Sequence, residues 1–487
     1  MLRSIAILLL AATLAGCAGV SRTTLEPAPR FSSLSVATTP SLKAQLDPLF
    51  ADSLFPPANV GVKIVSLTQG RDLYALNERM LFNPASNQKL FTSAAALTLL
   101  GKDATFPTVV SADTARKRII ITGGADPLLS TADLDSIARM CATSLPAGTG
   151  WDVGVNVRLF DSLYWGAGWT WDEEPSDYGM FLSPLMLNLN TVTVTVTPGL
   201  TAGAPPFVSV DPPSAYTPVQ NTAVTTSDSV SRALRVTRNW MERSNTIQVS
   251  GAMNLRERRR QEILSVWRPE LYAGTVFSEL LGKYGVATSG RVVLDSSGAP
   301  GAVLFSFEHR IDTVLTFMNK VSDNLTAETM LKVIAARKVG VPGSAENGAR
   351  CVNQFLATAG IDTNGIVIAD GSGLSRYDLT SPATTIKLLK RMFADSVNFP
   401  LYYHTLPIAG VDGTIGRRMR GTLAAGNLRA KTGTLSGVTA LSGYVRTLDG
   451  EWLAFSIMMQ HYPGSSREYR AVQDAIGAIL AGLRKIE

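Results

Sequence analysis

Apolar positions along this chain recur with two periods, and the switches between them mark the elements. From Val60 to Leu67 apolar residues alternate, Gln69-Gly70 supplies a turn and Leu73 to Leu76 returns, which predicts a β-hairpin. A short helix over 42–54 precedes it. Beyond it, Leu90, Phe91, Ala94, Leu97 and Leu100 follow helical spacing, with Pro84 ahead of the start and Gly101 as the stop, so Ser86 is expected at a helix N-terminus.

Residues 102–305 read differently, as short β segments such as Arg118–Ile121 and Thr191–Thr197 between turns rich in Gly, Pro and Asp. Helical spacing returns near 311–338 and 381–393. Strands then alternate from Leu428 to Gln460 around an Asp449-Gly450 turn, and a final helix over 468–483 puts Val472, Ile476, Ile479, Leu480 and Leu483 on one stripe. The expected class is α/β (α+β): an antiparallel sheet packed with helices, built from 42–101 and 306–487 and interrupted by a large β-rich inserted region, 102–305. A chain of 487 residues exceeds what one core usually organises, and 45% hydrophobic residues can fill more than one.

The first residues change the picture of location. Arg3, an apolar run from Ile5 to Leu14 and then Leu14-Ala15-Gly16-Cys17 read as an export signal, too short at about ten residues for a spanning helix of about twenty. The small residues before Cys17 resemble a bacterial lipobox, which implies cleavage there and a lipid on the Cys17 thiol. Residues 1–17 are thus the signal and 18–41, rich in Ser, Thr, Pro and Ala, a flexible tether. The cell envelope, on its periplasmic side, is the expected location. Cys141 and Cys351 remain, and sequence does not say whether they meet. A net charge of +6 spread over this length argues for no particular partner, and export argues against nucleic acid.

Candidate chemistry comes from three short patterns. Ser86-Asn87-Gln88-Lys89 sets a hydroxyl and an amine three residues apart, on one helical face, and no other Ser-x-x-Lys pair occurs among the lysines. A serine needs a nearby base to become a nucleophile, and a buried lysine can supply it. Ser322-Asp323-Asn324 is the second pattern; Ser396-Val397-Asn398 also reads Ser-x-Asn but sits ahead of Pro400 as a cap or loop. Lys431-Thr432-Gly433-Thr434 is the third, on a strand that can lie along an extended peptide and bind its carboxylate. Each alone is commonplace: a capped helix, a polar turn, a surface strand. In this order they form the set of penicillin-binding proteins and class A β-lactamases. No Gly-x-Ser-x-Gly elbow or His-Glu-x-x-His occurs, and His309, His404 and His461 are scattered, which disfavours a His triad or a zinc peptidase.

With these motifs the chain resembles the D-alanyl-D-alanine carboxypeptidases of peptidase family S13, the class C low-molecular-mass penicillin-binding proteins. The long gap between Ser86 and Ser322 fits that family's insertion, which class A β-lactamases lack. The segments Ile121–Pro127, Asp370–Ser375 and Gly410–Thr414 look familial as well. The resemblance implies a penicillin-sensitive enzyme that acts on peptidoglycan stem peptides ending in D-Ala-D-Ala, with possible DD-endopeptidase action on cross-links. It implies Ser86 as the acylated nucleophile, Lys89 as its base, and Ser322 and Asn324 as cleft groups that assist proton transfer. Lys431 and Thr432 would orient the terminal carboxylate, and the N–H groups of Ser86 and Thr434, beside Gly433, would form the oxyanion hole. β-Lactams would acylate the same serine, and no cofactor or metal is implied. A serine β-lactamase and a noncatalytic wall-binding lipoprotein are the competing readings.

Overall fold

The hairpin read from the N-terminal pattern forms one edge of a five-stranded sheet. In a computed structural model, which describes residues 41–484 apart from 52–54, 147, 149, 228–232 and 296–300, the strand order is Arg429–Leu435, Val438–Arg446, Trp452–Gln460, Asn59–Ser66 and Asp72–Leu76. Every neighbouring pair is antiparallel. Cys17 and residues 1–40, expected to hold the signal and nearly all of the tether, lie outside the described residues.

Both faces of this sheet are covered, and that explains one departure from the alternating pattern. Val438–Arg446 and Trp452–Gln460 are buried at nearly every position. One face packs on the helices Leu42–Phe50 and Arg467–Gly482, with Leu46, Ile457, Ile476 and Leu480 in a shared core. Helix Pro382–Phe393 lies on the opposite face, and behind it a cluster of helices joins the same core.

Two helices at the centre of that cluster are buried all round. Gln88–Leu100 buries every residue from Gln88 to Leu97, and Asn324–Lys338 buries every residue from Leu325 to Ala336. A helix buried on all sides has no solvent face on which to place its polar residues, so Lys89, Glu328 and Lys332 must find partners inside. The helical run expected over 311–338 is two helices, Ile311–Val321 and Asn324–Lys338, broken where Ser322 turns left-handed at φ 65. Asp323 starts the second by accepting the Thr326 N–H at 2.7 Å.

The stretch read as β-rich builds a second five-stranded sheet, mixed in direction and ordered Thr288–Leu294, Trp151–Asn156, Arg118–Thr122, Thr105–Asp113, Ala302–Arg310. It also holds two longer helices that the strand reading passed over, Thr131–Ala142 and Pro269–Lys283, which close its core around Ile121, Val155, Leu134 and Phe277. Phe160, Met180, Leu182 and Met186 from the same stretch pack into the central helical core instead. Cys141 and Cys351 are both free, and burial pushes the Cys141 thiol up to about 12. Among the described residues no helix is long and apolar enough to cross a membrane.

Ile457 is fully buried in the central strand of the first sheet. Ile457→Ala is expected to cost about 3 kcal/mol, seen as a lower urea midpoint, whereas Val397→Ala, at a position 64% exposed, should leave the midpoint in place.

Candidate active site

Three elements deliver the three sequence motifs to one cleft. Ser86 sits in a single 3₁₀ turn, Ala85–Asn87, that runs into helix Gln88–Leu100. Lys89, one turn on, is wholly buried, and its Nζ lies 3.0 Å from Ser86 Oγ. The same nitrogen donates to Asn324 Oδ1 at 2.8 Å and to the Ser372 carbonyl at 2.7 Å. Lys431, on the edge strand, is equally buried and donates to Ser322 Oγ at 2.8 Å and to the Thr432 carbonyl at 2.9 Å. Hydroxyls therefore stand half-exposed at the mouth while both amines stand behind them.

Backbone strain aims these groups. Ala85, directly before Ser86, has φ 45, and Ser322 has φ 65. A residue with a Cβ pays roughly 1–2 kcal/mol for that conformation, so the surroundings must impose it. At Ala85 they do so through Asn83, whose Oδ1 accepts the Ala85 N–H at 2.9 Å while its amide nitrogen donates to the carbonyls of Ser375 and Asp378. Asn87 ties the turn to the edge strand by donating to the Lys431 carbonyl at 3.0 Å. Gly433 lets that strand pass close, since a Cβ there would stand 2.6 Å from the Pro84 carbonyl oxygen. Thr432 Oγ1 bonds Thr414 Oγ1 at 2.8 Å, and Thr434 is exposed at the rim.

The electrostatics follow from burial. Loss of water lowers the Lys89 ammonium to about 8, against a raising influence from Asp370, Asp323, Asp378 and Glu328. Lys431 is driven well below the ordinary lysine value, first by burial and then by Lys89 nearby. Glu328 is lifted to about 8 by burial and by Asp370, and its Oε2 accepts the Gly371 N–H at 2.6 Å.

Residues 42–483 match the model of the D-Ala-D-Ala carboxypeptidase 3 (S13) family. The chain belongs to that family. Its members include serine-type D-Ala-D-Ala carboxypeptidases, and the chain is 34% identical over 483 residues to a D-alanyl-D-alanine carboxypeptidase from Actinomadura sp. strain R39, covering 94% of this chain and 88% of that one. It is 27% identical over 443 residues to the penicillin-sensitive carboxypeptidase A of Dictyostelium discoideum, covering 84% of each. Among solved structures, penicillin binding protein 4 of Haemophilus influenzae superposes with a TM-score of 0.75 at 25% identity, over 90% of this chain and 97% of that one.

Ser86, Lys89, Ser322, Asn324, Lys431, Thr432, Gly433 and Thr434 all lie in this cleft or on its edge strand. Ser396–Asn398 instead starts helix Phe399–Thr405, with Asn398 bonded to Asp395. The motif reading missed Asn83, Asn87, Thr414 and the Ser372 carbonyl. The Asp370–Ser375 and Gly410–Thr414 segments stand out in the sequence only as familial, with no role for single residues, and a backbone acceptor leaves no trace in residue type. Asp370 holds the first of these turns together: its carboxylate accepts from Ser372 Oγ at 2.6 Å and from the Gly373 N–H at 2.6 Å.

Gly373 has φ +79, and an added Cβ would stand 1.8 Å from the Ala85 carbonyl oxygen. Gly373→Ala should displace the Ser86 turn and slow acylation by labelled penicillin by about 100-fold or more with far-ultraviolet circular dichroism unchanged. Gly282→Ala, where the methyl meets nothing within 4 Å, should acylate normally.

Proposed function

We propose that this chain is an exported serine DD-carboxypeptidase that trims terminal D-alanine from peptidoglycan stem peptides, with DD-endopeptidase action on cross-links by the same route. The observation that carries the reading is a fully buried lysine amine 3.0 Å from a half-exposed serine hydroxyl, its proton held only to about 8. Such an amine is neutral in a useful fraction of molecules near neutral pH, and its lone pair can then take the serine proton.

In this reading Ser86 Oγ attacks the carbonyl of the penultimate D-alanine while its proton passes to Lys89 Nζ. The N–H groups of Ser86 and Thr434 receive the developing oxyanion, an interaction worth about 3 to 4 kcal/mol per donor. The C–N bond breaks, and Ser322, bonded to Lys431, relays the proton held by Lys89 to the departing D-alanine amine, which leaves Lys89 neutral again. Water then enters and attacks the ester carbonyl, giving one proton to Lys89, and Lys89 returns that proton to Ser86 Oγ as the shortened peptide leaves. Asn324 holds Lys89 in place between the steps. Lys431 is short of charge because it is buried without a carboxylate partner; the substrate's terminal carboxylate, with Thr432, would supply one and favour its ammonium form. A β-lactam would open on Ser86 by the same attack, leaving an ester that water removes slowly. Attachment through a lipid on Cys17 would keep the enzyme at the periplasmic face of the envelope.

Mass spectrometry after incubation with labelled penicillin should place one adduct on Ser86, and the chain should release D-alanine from a D-Ala-D-Ala muropeptide. Ser86→Ala should abolish both. A folded wild-type protein that does neither would favour the wall-binding reading.

The pH dependence has a definite sign. Lys89 is protonated below about 8 and is a base only when neutral, so the acylation rate should rise with pH and level off above about 8. Lys89→Arg, which cannot shed its proton, should lose about 100-fold to 10,000-fold at every pH. A flat wild-type profile from pH 6 to 9 would remove Lys89 from the base's role.

A further inference from the structure

A groove of about 340 Å³ opens on the small sheet formed by Arg235–Arg238, Ile247–Ser250 and Val219–Asn221. Register sets a row of polar side chains along this sheet. Thr237 stands opposite Gln248, which stands beside Gln220, and Arg235 stands opposite Ser250. All of them line the groove, with the buried Val249 and Arg238 at its base, whereas Ile247 is wholly buried beneath. The floor is therefore a ladder of amides and hydroxyls flanked by Arg235 and Arg238. Trp240 and Met241 form part of the lining, and Met241 is 80% exposed.

An ordinary solvated sheet face would account for the polar ladder but not for the aromatic residues that lead to it. Trp171 is 72% exposed and stacks on Trp240, with ring centres 5.8 Å apart and planes at 24°. Two residues earlier, Trp169 donates its indole N–H to Asp370 at 2.7 Å, in the turn whose Ser372 carbonyl holds Lys89. Two residues of chain span at most about 7 Å, so the pair of exposed Trp171 and half-buried Trp240 begins at the back of the candidate active site. Tyr377, 67% exposed, lies against Gly168 in the same place, its ring 2.8 Å from where a Cβ would stand.

We infer that this groove is a subsite for a glycan strand of N-acetylated aminosugars, the polymer from which the stem peptide hangs. The inference rests on the proposed peptidoglycan substrate. Pyranose rings carry apolar C–H faces that lie on indole rings, and hydroxyl and acetamide groups that pair with Gln, Thr and Ser side chains. Two arginines, Arg235 and Arg238, and no carboxylate line the groove, and Arg238 is already paired with Glu174 at 2.8 Å, so the polymer it fits is neutral or weakly anionic. A peptide held at Ser86 must leave its sugar outside the cleft, and the aromatic path runs from there to the groove.

Chitotetraose, a neutral oligomer of N-acetylglucosamine without any peptide, is the probe. Titrated into the intact chain by calorimetry, it should bind saturably, and Trp171→Ala and Gln248→Ala should each weaken binding about tenfold. Trp171 is too exposed for its loss to unfold the protein, and Gln248→Ala removes an amide from a solvent-facing row. Absence of saturable binding, or unchanged binding in both variants, overturns the subsite. A sulfated oligosaccharide that binds where chitotetraose does not would overturn the neutral glycan as occupant. Labelled penicillin run in parallel separates the two readings: acylation without sugar binding overturns the groove alone, and sugar binding without acylation overturns Ser86 alone.

Discussion

An amine buried without a carboxylate in contact is the constraint around which the centre of this fold is organised. Taking an ammonium out of water costs several kcal/mol unless its hydrogen bonds are replaced. Lys89 has three acceptors within 3.0 Å, one from its own helix turn, one from Asn324 and one from the Ser372 carbonyl. Each comes from a different stretch of chain, so the helix-strand core has to assemble before the lysine can be held. Four acidic groups at longer range keep the proton from being lost altogether, while burial keeps it from being held firmly. A direct ion pair would favour the charged form and take the lone pair away from Ser86.

The acidic groups are part of the same arrangement. Asp370, Asp378 and Glu328 are fully buried, and the last two are raised by burial and by Asp370. Burial and the neighbouring Asp370 thus disfavour the ionised forms of Asp378 and Glu328. Asp370 spends its oxygens on the turn that presents Ser372, on Ser372 Oγ, on the Gly373 N–H and on Trp169. Its role is to shape a loop whose carbonyl, not its side chain, reaches the lysine.

How much of this was legible in the sequence follows from what each residue does. Ser86, Lys89, Asn324 and Lys431 act through their side chains, and the hydrophobic periods around them placed each on the correct kind of element. The edge hairpin, the helix after Ser86 and the last helix were readable because their apolar residues face one core. The break at Ser322 was not, because Met318 and Leu325 keep helical spacing across it while a left-handed residue redirects the axis. The helices Thr131–Ala142 and Pro269–Lys283 were hidden by the many turns around them. Ser372 could not be read as an acceptor for Lys89, because its contribution is a backbone oxygen placed by Asp370 from two residues away.

The indole of Trp169 has a consequence for how such a protein could change through time. Residues 102–305 look like an accessory that a smaller hydrolase could do without. Yet this stretch supplies Trp169 to the carboxylate that shapes the Ser372 turn, and Phe160, Met180 and Met186 to the packing around the two buried helices. Excising it would remove a hydrogen-bond donor from a buried acid and open voids beside the helix that carries Lys89. A compact form without residues 102–305 would therefore need a new donor for Asp370 and a new wall for the core, each in place before the old ones were lost.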